Sequence, residues 1–218
     1  LASSEGAYHC DVSLVVVGRL RLWALAPILC ALAIMMPVSA VGQVGSLDPF
    51  FNAGTLVSSV ADLALQPGGT VIVAGGVKST RGFSAGYGRF YPNGGMDADF
   101  NYASVSGGDF RSISVQNDGK ILLGGNFTQF YDYTRSWLAR LNTNGSLDTT
   151  FTHQIDGSVQ VVRAQPDGRL LVGGYFSAPH QGLVRLNADG SLDPTLNANV
   201  ANNGVTALAV QADGKLLI

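Results

Sequence analysis

The sequence predicts an all-β fold in which tandem repeats of about fifty residues pack as the blades of a β-propeller. Three observations lead to this prediction. One phrase ending in paired glycines recurs along the chain, a second phrase alternates with it, and the residues beyond 40 contain thirteen Asp but no Glu. Gly, Asn, Ser and Thr are also plentiful there, and this composition disfavours helices and suits short strands joined by tight turns.

The first phrase contains a glutamine, a turn and an apolar run. Its copies are ALQPGGTVIVAGG (64–76), SVQNDGKILLGGNF (114–127), RAQPDGRLLVGGYF (163–176) and AVQADGKLLI (209–218). Successive glutamines are 50, 49 and 46 residues apart. Apolar residues alternate before each glutamine, which predicts a strand with one buried face. The unbroken apolar run after the turn predicts a strand that is buried on both faces.

The second phrase adds another hairpin to each repeat. Its copies are GSLDPFF (45–51), GRFYPNGGMDADF (88–100), ARLNTNGSLDTTF (139–151) and VRLNADGSLDPTL (184–196). Two hairpins give four antiparallel strands per repeat, which is the content of one propeller blade. Residues 41–218 hold about three and a half such repeats. Because propellers close with about 4–8 blades, we expect a partial propeller in a fragment of a longer protein.

The second phrase also resembles a calcium-binding loop. In LNADGSLDPT (186–195), Asn187, Asp189 and Gly190 match the third, fifth and sixth positions of an EF-type loop. The first position is Arg185, and an arginine stands there in the two preceding copies, where a metal would require an oxygen ligand. A three-residue hairpin loop that ends in a left-handed glycine explains the same residues. We therefore predict hairpin turns and no metal site.

That register places an arginine opposite an aspartate in each of three hairpins. The predicted pairs are Arg89 with Asp97, Arg140 with Asp148, and Arg185 with Asp193. A cross-strand pair of this kind contributes about 0.2–1 kcal/mol when it is exposed. A slip of one residue would turn each charge to the wrong face of the sheet, so we expect the pairs mainly to fix the register.

The alternation of the two phrases over 44–218 resembles the bacterial delta-60 repeat family. The matching patterns are D-G-K followed by an apolar run and two glycines, and L-x-R-L-N-x-(D/N)-G-S-L-D-x-T-F. The resemblance implies a secreted or surface-attached protein with a propeller-like fold. The family as a whole has no common activity, so none can be carried over to this chain. The first copy departs from the pattern, since Gly68 replaces the usual Asp and Gly95-Met96 replaces Ser-Leu.

The N-terminal stretch predicts export. Arg19 and Arg21 precede an uncharged run at 22–36, and Pro-Val-Ser-Ala follows at 37–40. These features are typical of a secretory signal at 19–40 that is cleaved after Ala40. The alternative is an uncleaved anchor, because 22–41 is just long enough to span a bilayer.

Cleavage would define three parts of the chain. Residues 1–18 would precede the true start, 19–40 would be the signal peptide, and 41–218 would form the mature repeat domain. Both cysteines, Cys10 and Cys30, would then be lost, so we expect no disulfide and no thiol chemistry in the mature domain.

Few residues are candidates for catalysis. His153 and His180 lie in different repeats without metal-ligand spacing, which predicts surface loop histidines. Without Glu, a glycosidase would need two aspartates, and the recurring ones are assigned to turns. Asp109, Asp132 and Asp156 do not recur, and they are the residual candidates. The sequence therefore predicts no enzyme, no cofactor and no metal.

The most variable part of the repeat lies between the paired glycines and the arginine. In one copy it reads NFTQFYDYTRSW (126–137), an aromatic loop expected at one rim of the propeller. Aromatic faces give a large contact area at low entropic cost, so Tyr131 and Tyr133 are candidate ligand contacts. Phe127 and Trp137 are alternatively assigned to the core.

These observations predict an exported, non-enzymatic module that acts as a scaffold or adhesion surface. The expected partner is a protein or polysaccharide at the cell surface, and membrane contact is expected only through an uncleaved signal segment. Nucleic acid is not expected, because a net charge of −2 without a basic stripe gives it no electrostatic support. The alternative is a propeller domain of a secreted carbohydrate-binding or carbohydrate-active protein whose active residues lie outside these repeats.

Overall fold

The structure is a computed structural model that describes residues 48, 51–78, 84–102, 105–130, 132–198, 200 and 204–218. The chain divides into two units, 1–47 and 48–218, and every described residue belongs to the second. The predicted signal segment at 19–40 lies outside the described residues. Within them, no helix is both long enough and apolar enough to cross a bilayer.

The described chain is all-β, as the sequence predicts. A short 3₁₀ turn at Gly54–Leu56 precedes the first strand. The strands in chain order are β1 (Val57–Leu65), β2 (Val71–Lys78), β3 (Ser84–Phe90), β4 (Val105–Ser106), β5 (Phe110–Val115), β6 (Ile121–Gly125), β7 (Gln129–Phe130), β8 (Leu138–Leu141), β9 (Ser158–Ala164), β10 (Leu170–Tyr175), β11 (Leu183–Leu186), β12 (Ala209–Val210) and β13 (Leu216–Leu217).

The repeats form small antiparallel sheets, one after another along the chain. Three of them have three strands, in the orders β1-β2-β3, β5-β6-β8 and β9-β10-β11. The last repeat contributes the hairpin β12-β13, and β4 pairs separately with β7. The first strand of each three-stranded sheet packs against the first strand of the next, so that β1 contacts β5 and β5 contacts β9. This order is that of propeller blades.

The predicted fourth strand of each blade is shorter than expected. It consists of a single bridge residue in each of three hairpins, and the bridges are Phe90 to Met96, Leu141 to Leu147 and Leu186 to Leu192. The strand ends because the next residue is the hairpin aspartate, whose Oδ1 accepts a hydrogen bond from the amide two residues later. That bond closes a turn and leads the chain away from the sheet.

The core lies between successive sheets. One cluster joins the first sheet to the second, a further cluster joins the second to the third, and another joins the third to the last hairpin. Every residue of β6 is buried, as is every residue of β10 except Tyr175. In the second and third repeats, this confirms that the apolar run after the glutamine forms a strand covered on both faces.

The glycine in the middle strand allows these sheets to approach closely. A Cβ on Gly124 would overlap with the side chain of Val159 in the next sheet. A Cβ on Gly173 would likewise overlap with Val161 and with Val205 of the last repeat. Glycine is therefore required here because a side chain from the neighbouring sheet occupies the space that a Cβ would need.

A second close approach occurs at the hairpin loops. Gly145 has φ +86°, and a Cβ there would overlap with the carbonyl oxygen of Asn101 and the ring of Phe100. Gly168 has nearly the same φ, +87°, but has no heavy atom within 4 Å of a built Cβ. The two glycines thus share one backbone conformation and differ in what surrounds them.

We expect Gly145→Ala to destabilise the protein by about 1–3 kcal/mol more than Gly168→Ala. Both substitutions force alanine into a left-handed conformation, which costs about 1–2 kcal/mol, but only the first also displaces the preceding repeat. Urea unfolding of both variants measures the difference. Equal losses of stability would show that the loop of one sheet does not support its neighbour.

Candidate functional site

The loops that resemble calcium sites are hairpin turns. In the copy at 187–191, the amide of Asn187 donates to the carbonyl of Ser191 at 2.8 Å, and the amide of Gly190 donates to the carbonyl of Asn187 at 2.9 Å. The same two bonds occur in the other two copies and in the four loops that follow the glutamines. Gly190 has φ +95°, the left-handed conformation that this loop type requires.

The side chains that match the ligand positions of a calcium loop instead make hydrogen bonds within the turn. Asp189 Oδ1 accepts hydrogen bonds from the amide and the hydroxyl of Ser191 at 2.9 and 2.7 Å. The side-chain amide of Asn187 donates to the same hydroxyl at 2.9 Å. Its nitrogen therefore points into the turn. The described residues contain no cluster of three or more His, Cys, Asp or Glu side chains suited to a metal ion.

The structure brings each predicted arginine and aspartate together. Arg89 Nη2 lies 2.7 Å from Asp97 Oδ2, Arg140 Nη2 lies 2.9 Å from Asp148 Oδ2, and Arg185 Nε lies 2.7 Å from Asp193 Oδ2. In each hairpin the aspartate amide also donates to the arginine carbonyl. The two residues therefore face each other across the hairpin, in the register that the loop length sets.

The carboxylate of each pair is buried. The three aspartates are only 3–5% exposed, and Arg140 is 6% exposed. The sequence predicts that these residues face each other, but it does not show that the aspartates are buried. A buried carboxylate is stable only when charged or polar groups surround it, so the pairs do more than choose a register.

A second cation reaches two of the aspartates, and sequence reasoning missed it. Lys120 Nζ lies 3.0 Å from Asp148 Oδ2, and Arg169 Nε lies 3.3 Å from Asp193 Oδ2. Both cations come from the loop after the glutamine, four residues beyond it. The first repeat has Thr70 at that position. The recurring D-G-K and D-G-R patterns contain these cations, but the sequence analysis assigned those residues only to the turn.

The surroundings keep these carboxylates ionised. Hydrogen bonds from the hydroxyl and amide of Thr195, joined by Arg185, lower the pKa of Asp193 to about 2. Burial raises the pKa of Asp148, but bonds from Thr150 and Lys120 outweigh it and hold that pKa well below its ordinary value. A carboxyl group with so low a pKa carries no proton to donate near neutral pH, which makes it a poor general acid.

Each of the first two arginines also reaches the next sheet. Arg89 Nη1 donates to the carbonyl of Thr143 at 2.8 Å, and Arg140 Nη1 donates to the carbonyl of Ala188. Both carbonyls belong to the hairpin loop of the following repeat. Arg140 also lies over the ring of Phe151, 4.5 Å from its centre. The guanidinium group thus joins its own hairpin to the neighbouring one.

A polar chain that the sequence did not suggest links the first strands of the three larger sheets. Asp62 Oδ2 accepts hydrogen bonds from the amide of Ile113 at 2.9 Å and from the hydroxyl of Ser112 at 3.1 Å. The Ser112 hydroxyl oxygen in turn accepts a bond from the amide of Val162 at 3.2 Å. These side chains are polar but not recurrent, so comparing the repeats did not reveal them. Their contacts serve packing between sheets.

The aromatic loop retains one described candidate for ligand contact. Tyr133 is 51% exposed, whereas Tyr131 lies outside the described residues. Phe127 and Phe130 are fully buried, and they pack with Tyr87 and Phe110 between the first two sheets. The loop therefore contributes mainly to the core, as the alternative assignment of Phe127 predicted.

The remaining acidic candidates do not gather into one site. Asp156 Oδ1 accepts hydrogen bonds from the amides of Ser177 and Ala178 at 2.8 and 2.9 Å, which lower its pKa and fix a loop. Asp109 and Asp132 are exposed. The structure thus assigns one of the three to a loop contact and leaves the other two at the surface.

His153 differs from the predicted surface histidine. Its ring is half-buried. Nε2 lies 2.9 Å from the carbonyl oxygen of Leu138, and Nδ1 accepts a hydrogen bond from the amide of Ile155 at 3.2 Å. These two partners assign the proton to Nε2 and require a neutral ring. Burial, aided by the positive charge of Arg135, lowers the pKa of His153.

Two stretches of the chain are similar to a known family. Residues 116–151 and 165–196 match the model of a family described as a domain of unknown function (DUF5122) beta-propeller. The match supports a propeller-type repeat family. It agrees with the observed all-β fold of small antiparallel sheets. A comparison with curated proteins found no match.

We expect the free energy of unfolding to fall as the pH drops from 7 to 5, and His153→Asn to reduce that fall. The folded pKa of His153 lies below the unfolded value of about 6.5, so the unfolded chain binds more protons below that pH. Asparagine can still accept a hydrogen bond from the Ile155 amide, but it does not gain a proton in this pH range. Urea unfolding at several pH values measures the slope, with His180→Asn as the control, and an unchanged slope in His153→Asn would contradict this assignment.

Proposed function

We propose that the protein is an exported, non-enzymatic propeller module of the delta-60 type that presents an interaction surface outside the cell. The proposal rests on the hydrogen bonds that the recurring polar side chains make. The arginines, aspartates and turn residues that define the repeat bond to one another within a hairpin or across to the next sheet. These bonds support the architecture of the repeats.

The electrostatics of the described residues favour the same proposal. A hydrolase of this composition would need one aspartate that holds a proton near neutral pH. The pKa values of Asp97, Asp148 and Asp193 are instead all lowered by neighbouring donors. A scaffold gains from such carboxylates because they remain charged and bonded over the ordinary range of pH.

Export is part of the proposal and rests on the N-terminal sequence. The basic flank, short apolar run and Ser-Ala ending at 19–40 favour secretion or attachment to the cell surface. The repeats themselves lack cysteine, so their stability does not depend on the redox state of the compartment.

A polysaccharide is the partner that the exposed aromatic residue favours. Tyr133 offers a half-exposed ring beside Asp132 and Thr134, which are also exposed. An aromatic face packs on the apolar face of a sugar ring, and the neighbouring polar groups can bond to its hydroxyls. The buried Phe130 beneath the loop gives the site a fixed support.

We expect Tyr133→Ala to weaken polysaccharide binding at least about tenfold, whereas Tyr175→Ala leaves it unchanged. Tyr175 is a matched control, since it is 53% exposed and Tyr133 is 51% exposed. Affinity electrophoresis against soluble glucan, xylan and chitin oligosaccharides measures the binding, and an assay for new reducing ends tests for cleavage. Equal binding by both variants would remove Tyr133 from the proposal, and cleavage of any polysaccharide would overturn the non-enzymatic role.

A further inference from the structure

An open cleft lies at the junction of the second and third sheets. Its volume is about 520 Å³, which is within the range of sites that hold small ligands. One side is the segment at 152–154, which connects the two sheets, and the other is the hairpin that follows β11. Pro179, from the loop between β10 and β11, also lines the cleft. We call this space the junction cleft.

The junction cleft is built from residues that the repeats do not share. His153 lines it, whereas the same position in the preceding repeat is Tyr102, which packs on the apolar core between the first two sheets. Asp156, which also does not recur, accepts hydrogen bonds from two backbone amides just before Pro179 and so fixes that wall. The shared pattern of the repeat therefore does not account for this cleft.

The opposite wall is equally fixed. A Cβ on Gly190 would overlap with the carbonyl oxygen of Thr152 and the ring of Phe151, so the hairpin lies in close contact with the connecting segment. The hydroxyl of Ser191 holds the turn, because it donates to Asp189 Oδ1 at 2.7 Å. A ligand that enters a cleft with fixed walls does not have to order them, which lowers the entropic cost of binding.

Two polar side chains of the junction cleft are available to a ligand. Thr152 and Gln154 are exposed, and neither side chain hydrogen-bonds to a residue that the structure describes. Pro179 and Leu192 supply apolar surface in the same cleft. The cleft thus combines an apolar wall with a free hydroxyl and a free carboxamide, the mixture that fixes the orientation of a small polar ligand.

The described residues that line the junction cleft include no charged side chain. His153 is the one titratable residue among them, and its ring is neutral because one nitrogen donates to Leu138 and the other accepts from Ile155. A charged ligand would lose part of its hydration here and gain no opposite charge from the lining. The lining therefore favours a neutral ligand that has both hydroxyl groups and an apolar face.

We propose that the junction cleft binds a neutral sugar unit of a polysaccharide. Such a ring presents hydroxyls that can bond to Thr152 and Gln154, and a face of C–H groups that can pack on Pro179. This inference rests on the polysaccharide partner proposed above, and it adds a second contact besides the ring of Tyr133.

The test compares Thr152→Ala and Gln154→Ala with Thr149→Ala in the full chain. Thr149 is a matched control, because it is exposed and its side chain hydrogen-bonds to no described residue, but it does not line the cleft. Urea unfolding checks that each variant keeps the stability of the wild type. Affinity electrophoresis in soluble glucan and xylan measures binding to neutral chains, and polygalacturonate provides a charged chain for comparison.

We expect the wild type and Thr149→Ala to bind a neutral polysaccharide equally, and each cleft variant to bind it about three- to tenfold more weakly, because one hydrogen bond to the sugar is lost. In the wild type, the NMR signals of the His153 ring should shift on adding the same oligosaccharide, since that ring lines the cleft.

Unchanged binding by both cleft variants would overturn this inference and leave the polysaccharide partner in place. Equal weakening in Thr149→Ala would show that the sugar does not bind in the cleft. Binding to polygalacturonate alone would contradict the neutral class of ligand. A wild type that binds none of these polysaccharides would overturn the proposed partner together with the cleft.

Discussion

A buried guanidinium group, that of Arg140, joins the second sheet to the third. Arg140 bonds to Asp148 across its own hairpin, donates to the carbonyl of Ala188 in the next sheet, and lies over Phe151. A buried ion pair can be replaced by apolar residues without loss of stability, but removing one partner costs about 3–5 kcal/mol. The arrangement therefore ties the turn, the charge pair and the following sheet to one another.

This constraint explains why so little of the repeat is free for other chemistry. The loop glycine must be left-handed and must also make room for the preceding repeat, as Gly145 does for Asn101. The aspartate must stay ionised to satisfy the arginine, and Lys120 further favours the ionised form of Asp148. The proposed function therefore rests on positions that do not recur, such as the exposed Tyr133.

Local features were predictable from the sequence, and features created by neighbouring sheets were not. Loop length and glycine position predicted the hairpins, because turn geometry depends on a few adjacent residues. The burial of Asp97 was not predicted, since comparing the repeats does not show which side chains are covered. The second cation at Asp148 was missed because Lys120 reaches it across the sheet from 28 residues away. The carbonyl of Leu138 likewise reaches His153 from 15 residues away. The turn that ends the fourth strand is also a local feature. It was missed because the sequence analysis assigned its aspartate only to the charge pair that fixes the strand register.

Hydrogen exchange in Arg140→Lys tests most directly whether the guanidinium couples two sheets. Lysine keeps the charge for Asp148 but lacks the planar group that bonds to Asp148 and Ala188 together. We predict at least about tenfold faster exchange at the amides of Asn187 and Gly190 in the next hairpin, which corresponds to about 1.4 kcal/mol. Faster exchange confined to the hairpin at 139–148 would contradict this account.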